Sequence, residues 1–236
     1  MNGNRTTALL LAAAALLGAG PVFSGESPLP KEAQTALDKA GSCKSYKTDF
    51  ILETQEEDGK PFSLRGTLVY QNPGRRRLEI REGEATEDTQ LLVSDGAVEW
   101  QYYPKGKVAY RIENPPEAPG PHRPFTDVLQ ETVRFVKRVQ GQGGTLLRFE
   151  AEPRPESVQG APVPVKKVQM DLSEEDGMLR EMVMLDEKDK PVLTQRFTGL
   201  ELNVAITEDQ FQFKVPEGVS VTQLPPPPPA EKGETK

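Results

Sequence analysis

The chain has 236 residues, of which 36% are hydrophobic and 28% are charged, and its 29 basic and 36 acidic residues give a net charge of 29 − 36 = −7. This length corresponds to one domain or two small ones. The acidic excess argues against nucleic-acid binding, which depends on clustered cations. With one cysteine and one histidine, the chain lacks an intramolecular disulfide and Cys- or His-rich metal sites, and we expect no metal and no cofactor.

Residues 1–24 have the pattern of a secretory signal peptide. Arg5 supplies the positive charge, an apolar run from Ala8 to Ala19 follows, and Val22 and Ser24 place acceptable residues before a cleavage point. The run is shorter than the roughly 20 residues that cross a bilayer. We therefore expect cleavage near Ser24 and export of the mature protein.

The next part of the chain predicts a short helix followed by a series of strands. Alanine and leucine at helical spacing predict an amphipathic helix over residues 31–42 that ends at Gly41. From Tyr46 the hydrophobic period changes to two, and turn signals such as Asn72-Pro73-Gly74 separate the alternating segments. The connections are too short for crossover helices, so the sheet should be antiparallel. The predicted strands are 46–52, 63–71, 77–81, 90–94, 98–103 and 107–112.

Two proline-rich connectors, residues 114–124 and 153–164, interrupt the second half of the chain. Apolar residues spaced three to four apart from Phe125 to Val136 predict a second helix. The proline run that begins at Pro225 and the polar residues after it predict a disordered tail. We expect a domain over residues 25–221 and a tail over 222–236. The remaining predicted strands are 145–151, 165–172, 179–186, 192–202 and 211–214.

About eleven antiparallel strands and two helices are compatible with a sandwich, a closed barrel or one curved sheet with helices across its concave face. Both predicted helices are apolar on one side only, and the apolar face of the sheet is their natural cover. We therefore favour an α+β, mainly β fold, a half barrel with the helices as a lid. Apolar space left under such a lid is where small-molecule and lipid pockets arise, although the pattern alone does not require one.

Three blocks of the sequence resemble the LolA family of periplasmic lipoprotein carriers. Residues 66–79 are similar to the family's strand, Pro-Gly turn and Arg-containing strand. Residues 93–104 look like its next hairpin, in which Ser-Asp-Gly precedes an aromatic strand. Residues 211–221 look like its closing Phe-x-Phe-x-x-Pro-x-Gly-Val-x-Val strand. The blocks follow the family's order, with a helix around residues 125–136 between the second and the third.

The resemblance implies a half barrel whose apolar cavity shields the acyl chains of outer-membrane lipoproteins during transfer from the inner to the outer membrane. Its implied partners are acylated lipoproteins and an inner-membrane lipoprotein-releasing transporter; an outer-membrane receptor is left open, and we expect a monomer. Such a carrier is needed because each buried methylene is worth about 0.8 kcal/mol. The residues predicted to bind acyl chains are the apolar phase of the strands and of the lid: Phe50, Leu52, Leu64, Leu68, Leu78, Ile80, Leu91, Val93, Val98, Trp100, Tyr102, Phe125, Val128 and Leu129.

Lid locking is the point at which the sequence departs from the family. LolA proteins often carry an arginine directly before the turn proline, where it holds the lid shut, but Asn72 precedes Pro73 here. Asparagine can form hydrogen bonds but cannot hold a lid by charge. Arg75, Arg76 and Arg77 follow within the turn and are the candidate substitutes. Arg77 is assigned with Asn72 to the lid-lock region, although a solvated basic turn explains these arginines more simply.

Two other classes of function are weighed against a lipoprotein carrier. An RseB-like envelope-stress sensor, or a carrier of another lipid, would have the same fold, but such sensors usually add a second domain, for which the residues after 221 leave no room. An exported enzyme would need a catalytic constellation. His122 has no nucleophile motif of the Gly-x-Ser-x-Gly kind to serve, and acidic residues such as Asp95 lie in predicted turns. We therefore predict no catalytic residues and no enzymatic activity.

Overall fold

The computed structural model describes residues 30–55, 59–113, 134–141, 143–153 and 164–225. The predicted signal peptide, residues 125–133 of the second predicted helix and residues 226–236 of the tail lie outside these ranges. The described residues form one α-helix and twelve strands. Their bounds are α1 Lys31–Gly41, β1 Ser45–Gln55, β2 Pro61–Gln71, β3 Arg75–Glu82, β4 Gln90–Ser94, β5 Val98–Tyr103, β6 Val108–Glu113, β7 Arg134–Gly141, β8 Gly144–Ala151, β9 Lys167–Ser173, β10 Leu179–Leu185, β11 Pro191–Leu202 and β12 Ser220–Leu224.

All twelve strands belong to one sheet, in the order β12-β6-β5-β4-β3-β2-β1-β11-β10-β9-β8-β7. The pairs are antiparallel, as the short connections predict, with the exception of β12, which runs parallel to β6. The first and last strands of this order, β12 and β7, are not paired with each other, so the sheet is curved but unclosed. The predicted half barrel is confirmed.

One face of the sheet, called the inner face here, carries the hydrophobic core. Residues paired directly across neighbouring strands share a face, and Phe50, Gly66 and Ile80 form one such row across β1, β2 and β3. The core cluster combines side chains of β1–β4 with side chains of β8–β11. These eight strands are consecutive in the sheet order from β4 to β8, and helix α1 belongs to the same cluster.

Helix α1 packs against the inner face near β9 and β10, and its position confirms the sequence prediction for residues 31–42. Its buried residues are Ala33, Ala36, Leu37 and Ala40, which form the predicted apolar stripe. The small alanines let the helix approach closely: a Cβ on Gly177 would lie 1.8 Å from the carbonyl oxygen of Ala36. No helical segment in the described ranges combines the length and the apolar character that a membrane crossing requires.

Residues 203–219, called the strap here, cross the outer face of the sheet. They connect β11, which lies beside β1, to β12, which lies beside β6, and so pass over the strands between. Phe211 of the strap is buried. Farther along, the ring of Phe213 packs on Trp100 and Tyr102 of β5 at centroid distances of 5.4 and 5.5 Å. The strap therefore gives β5 an apolar contact on the outer face.

The strap also corrects the predicted last strand. The sequence predicts a strand over residues 211–214, but Glu208–Phe211 is a 3-10 turn and the last strand is β12, at Ser220–Leu224. The alternation of Phe211 and Phe213 imitates a strand because both rings face the sheet, where they anchor the strap instead of forming a ladder. Residues 222–224, which the sequence assigns to the tail, pair with β6.

The end of the second predicted helix is a strand as well. Arg134–Gly141 is β7, paired antiparallel with β8, so Val136 lies in a strand and the helical prediction is wrong for residues 134–136. The helical spacing misleads here because Phe135, Val136 and Val139 also favour a strand, and β8 supplies the partner edge. Strand β12 replaces the predicted strand over residues 211–214, so the addition of β7 raises the strand count from the predicted eleven to twelve.

Replacing Phe213 with alanine should loosen the strap. The ring is half-buried against two aromatic side chains, so its loss should lower the free energy of unfolding by about 2 kcal/mol, less than for a fully buried phenylalanine. Trp100 is the chain's single tryptophan, so its fluorescence emission should move to longer wavelength. The control is Val215→Ala, at a strap residue that is 39% exposed, which should change neither quantity. Unchanged emission in the Phe213 variant would contradict this packing.

Candidate functional site

Six of the predicted acyl-chain-binding residues lie together on the inner face. They come from three neighbouring strands, β1–β3, and each is at most 5% exposed. The ladder explains their common orientation, since Leu68 pairs with both Thr48 and Leu78. Together with α1 they form part of one core cluster. The six are Phe50, Leu52, Leu64, Leu68, Leu78 and Ile80.

Five other residues that are predicted to bind acyl chains lie on the outer face. The prediction that they share the surface of Phe50 is therefore wrong. Leu78 pairs with Leu92, and Leu92 pairs with Gln101, which places the residues on either side of Leu92 and Gln101 on the opposite face. These outer residues are apolar because the strap covers that part of the sheet. They are Leu91, Val93, Val98, Trp100 and Tyr102. Phe125, Val128 and Leu129 lie outside the described residues.

The inner face of β4 and β5 is instead rich in polar groups. Five side chains form what we call the polar strip: Arg76, Gln90, Glu99, Gln101 and Tyr103. Strand β5 contributes three of them, because its whole inner phase is polar. The sequence contains the signal for this arrangement, since polar and apolar residues alternate along β5, but alternation alone does not tell which phase faces inward.

A buried ion pair forms one end of the polar strip. The side chains of Arg76 and Glu99 are only 10% and 4% exposed. Arg76 Nε donates a hydrogen bond to Glu99 Oε2 at 3.1 Å, and Arg76 Nη2 donates to the same oxygen. Gln101 Nε2 donates to the other oxygen, Glu99 Oε1, at 2.9 Å. Both carboxylate oxygens are thus satisfied, as a buried charge requires.

The other end of the polar strip holds Gln90 and Tyr103. Gln90 is 2% exposed, and its Nε2 donates a hydrogen bond to the hydroxyl oxygen of Tyr103 at 3.0 Å. The Oε1 atom of Gln90 has no hydrogen-bond partner among the described residues. Tyr103 is half-buried and packs edge-on against Tyr110 at a centroid distance of 6.0 Å. This end of the strip therefore combines a buried, unused acceptor with a hydroxyl group nearer the surface.

The predicted lid-lock residues do not face the inner surface together. Arg77 lies on the outer face, where it donates to Glu79 Oε1 at 2.7 Å and to the carbonyl oxygen of Gln210 at 3.4 Å, so it holds the strap. The backbone N–H of Asn72 donates to the carbonyl oxygen of Lys44 at 2.8 Å. Arg76 is the arginine of this turn that reaches the inner face.

Tyr46 is fully buried close to the ion pair, and its ring stacks on Tyr70 at 5.2 Å. Burial raises the pKa of Tyr46 well above its ordinary value of 10.0, and Tyr70 and Cys43 raise it further, while Arg76 lowers it. A folded-state pKa above the unfolded value means that the folded protein holds this proton more tightly. The corresponding stability is fully present below about pH 10 and is lost as the pH rises above it.

The Tyr46→Phe variant should therefore lose less stability in alkali than the wild type. Between pH 10 and the folded-state pKa, one retained proton contributes a slope of about 1.4 kcal/mol per pH unit. We expect urea titrations from about pH 9 to 11.5 to show a slope smaller by this amount in the variant. Burial also raises the pKa of Tyr103, but this residue contributes equally to the pH dependence of both proteins. Equal slopes would contradict the assignment to Tyr46.

A pocket of about 620 Å³ lies on the outer face, between the strap and β1–β3. Charged residues of both signs line it, and several of them are already paired: Thr67 Oγ1 donates to Asp49 Oδ1 at 2.8 Å, and Arg77 binds Glu79. Within the described ranges, no group of three or more His, Cys, Asp or Glu side chains could hold a metal ion. The polar pocket does not provide the apolar surface that acyl chains need.

The model of the family described as "Outer membrane lipoprotein carrier protein LolA" matches residues 41–214. A crystal structure of an uncharacterized conserved protein from Thermus thermophilus is similar at 13% identity and a TM-score of 0.59, covering 82% of this chain and 100% of that one. A LolA superfamily protein from Nitrosomonas europaea matches at 13% identity and a TM-score of 0.38, covering 77% and 97%.

MucB, in the complex structure of Pseudomonas aeruginosa MucA/MucB, matches at 16% identity and a TM-score of 0.45. The match covers 78% of this chain and 61% of the matched chain, so this protein spans about three fifths of its length. A comparison with curated protein sequences gives no match.

Proposed function

Because this chain belongs to the LolA family, whose model matches residues 41–214, we propose that it carries outer-membrane lipoproteins across the periplasm with their acyl chains on the inner face. The observation that supports this most is an apolar inner face in an unclosed sheet, of which α1 can cover only a part. The helix has 11 residues and is therefore about 16 Å long. The eight strands that contribute to the core cluster, β4 to β8 in the sheet order, span roughly 34 Å at about 4.8 Å per strand.

The energetics of an acyl chain fit a carrier that works by contact alone. A sixteen-carbon chain transferred from water to an apolar surface gains on the order of 12 kcal/mol at about 0.8 kcal/mol per methylene. Binding of this kind requires no covalent step, so the proposed activity is not enzymatic. The protein receives its cargo from an inner-membrane lipoprotein-releasing transporter after export and cleavage near Ser24, and gives it up at the outer membrane, where a receptor is the proposed acceptor.

The inner-face residues divide into two groups in this proposal. The fully buried ones, such as Leu64 and Ile80, form the floor on which a chain lies. Half-buried aromatic residues at the margin of the core, Phe62 and Phe197, are the groups that a bound chain contacts directly. Both face inward, since Phe62 pairs with Thr54 and Phe197 pairs with Phe50.

The test is native mass spectrometry of the chain from residue 25 onward, repurified after incubation with vesicles that contain a triacylated lipoprotein. We expect a 1:1 complex with the lipoprotein. The variants Phe62→Gln and Phe197→Gln should each reduce the bound fraction severalfold, because each places a polar group against the acyl chain. Ile51→Gln is the matched control, since Ile51 is 42% exposed on the outer face of the same sheet.

Three outcomes separate the candidate functions. A lipoprotein complex that weakens in the inner-face variants alone supports the carrier. Bound phospholipid without lipoprotein would contradict it and would favour a carrier of another lipid or a lipid-sensing protein of the same fold. A protein that remains empty, or complexes that all three variants weaken equally, would contradict the assignment of the cargo to the inner face.

A further inference from the structure

The polar strip is unexpected on a surface for acyl chains alone. From its free hydrogen-bonding groups we propose that Gln90 and Tyr103 bind an amide group at the polar end of the cargo, so that the protein prefers amide-linked to ester-linked acyl chains. This inference rests on the proposed function, because it concerns the cargo of the same inner face. It adds a chemical class that apolar contact does not specify.

The first argument is the unused acceptor. Gln90 Oε1 has no hydrogen-bond partner among the described residues, and the residue is 2% exposed, so bulk water does not satisfy the atom either. Leaving a buried acceptor unpaired is costly, and native proteins rarely do so without a reason. A cargo that brings an N–H or O–H group to this position removes that cost.

The second argument is the hydroxyl group beside the acceptor. The oxygen of Tyr103 accepts a hydrogen bond from Gln90 Nε2 at 3.0 Å, which leaves its own proton available for donation to a carbonyl oxygen. The pKa of Tyr103 is raised, chiefly by burial, so the hydroxyl group remains protonated at neutral pH. One donor and one acceptor are thus adjacent on the inner face.

Together the two groups complement an amide rather than an ester. An amide presents an N–H donor and a carbonyl acceptor, which match Gln90 Oε1 and the Tyr103 hydroxyl group. An ester has the carbonyl alone and would leave Gln90 unsatisfied. A site whose buried polar group requires a partner discriminates against ligands that lack it.

The surroundings place the hydrocarbon part of such a cargo on apolar surface. Gln90 pairs with Ile80, and Ile80 pairs with Gly66, which pairs with Phe50. Gly66 has no side chain, and the ring of Phe50 occupies the space over it, 2.8 Å from where a Cβ would lie. The hydrocarbon part of a cargo whose amide binds Gln90 therefore begins beside the floor that Ile80 and Phe50 form.

The experiment compares two probes, N-palmitoylethanolamine and 2-hydroxyethyl palmitate, which differ in having an amide or an ester. Each probe competes with a bound fluorescent fatty acid, at concentrations below those at which it forms micelles. The wild type should bind the amide about three- to tenfold more tightly, which is the effect of one additional hydrogen bond. Gln90→Met should abolish this preference. Tyr103→Phe should weaken the binding of both probes, since both have a carbonyl group.

Gln71→Met is the matched control. Gln71 also has an unpartnered buried Oε1 atom within the described part of the chain, but it lies on the outer face of β2, so its replacement should leave the amide preference unchanged. A second comparison, between triacylated and diacylated lipopeptides, identifies the amide. A preference for the triacylated form that depends on Gln90 assigns the N-acyl amide, and equal binding that depends on Gln90 assigns a peptide amide.

Equal affinity of the wild type for the two palmitoyl probes would overturn the inference while leaving the proposed carrier function intact. A preference that persists in Gln90→Met would overturn it as well. If neither probe binds the wild type, the proposed function fails together with the inference.

Discussion

Replacing Glu99 with alanine should lower the free energy of unfolding by about 3–5 kcal/mol, as measured by urea denaturation at neutral pH. The substitution leaves the guanidinium group of Arg76 without its carboxylate in a place where its side chain is 10% exposed. Removal of one partner of a buried ion pair is far more costly than the net contribution of the pair, because the remaining charge loses its carboxylate and is poorly hydrated. Gln101 also loses its acceptor.

Two controls isolate the loss of the carboxylate beside Arg76 as the cause. The double variant Arg76→Met/Glu99→Leu should recover most of the lost stability, since it replaces the pair with apolar groups and leaves no isolated charge. Arg196→Ala removes an arginine that is 48% exposed and pairs with Glu53 and Glu181, and it should cost less than about 1 kcal/mol. A Glu99→Ala variant as stable as the wild type would show that Arg76 reaches water.

The substitution Gly177→Ala should lower the free energy of unfolding by at least about 3 kcal/mol and should displace α1 from the sheet. Gly177 has a φ of +73°, and a Cβ there would lie 1.8 Å from the carbonyl oxygen of Ala36. Backbone on both sides prevents a local adjustment, so α1 must move. Thermal unfolding measures the loss, and hydrogen exchange of the α1 amides should rise.

Gly143→Ala serves as the control for the backbone conformation alone. Gly143 has a φ of +88° with no atom within 4 Å of the added Cβ, so alanine there should cost only about 1–2 kcal/mol. The difference between the two variants is the contribution of the close approach between Gly177 and α1. Equal losses would mean that α1 does not rest on this glycine.

The sequence predicts β1–β3 and α1 well because each has one strongly apolar phase. Phe50 and Leu52 alternate with polar or exposed residues, so the inward phase of β1 is clear from the sequence. The same reasoning fails on β5, where Trp100 and Tyr102 form the more apolar phase and yet face outward. Burial under the strap decides their orientation, and a contact between residues as distant as Trp100 and Phe213 leaves no local pattern.

The polar strip escapes sequence-based prediction for a related reason. Glu99 and Gln101 resemble the solvated phase of an ordinary edge strand, and only the ladder, in which Leu92 pairs with Gln101, shows that they face the core side. Arg76 and Arg77 are neighbours in the sequence but have opposite roles, one in a buried ion pair and the other against the strap. Which of them faces inward depends on the register of β3 with β2.

The most direct test of the inner-face proposal is photochemical mapping of the acyl chain. A lipopeptide that carries a diazirine near the end of one acyl chain is bound to the protein, and the complex is irradiated. Mass spectrometry of the digested adduct then identifies the residues to which the acyl chain has become attached. We predict attachment to residues that face inward from β2 and β11 at the margin of the core, such as Phe62 and Phe197. Attachment confined to the strap or to outward-facing residues such as Trp100 would contradict the proposal that the inner face binds the cargo.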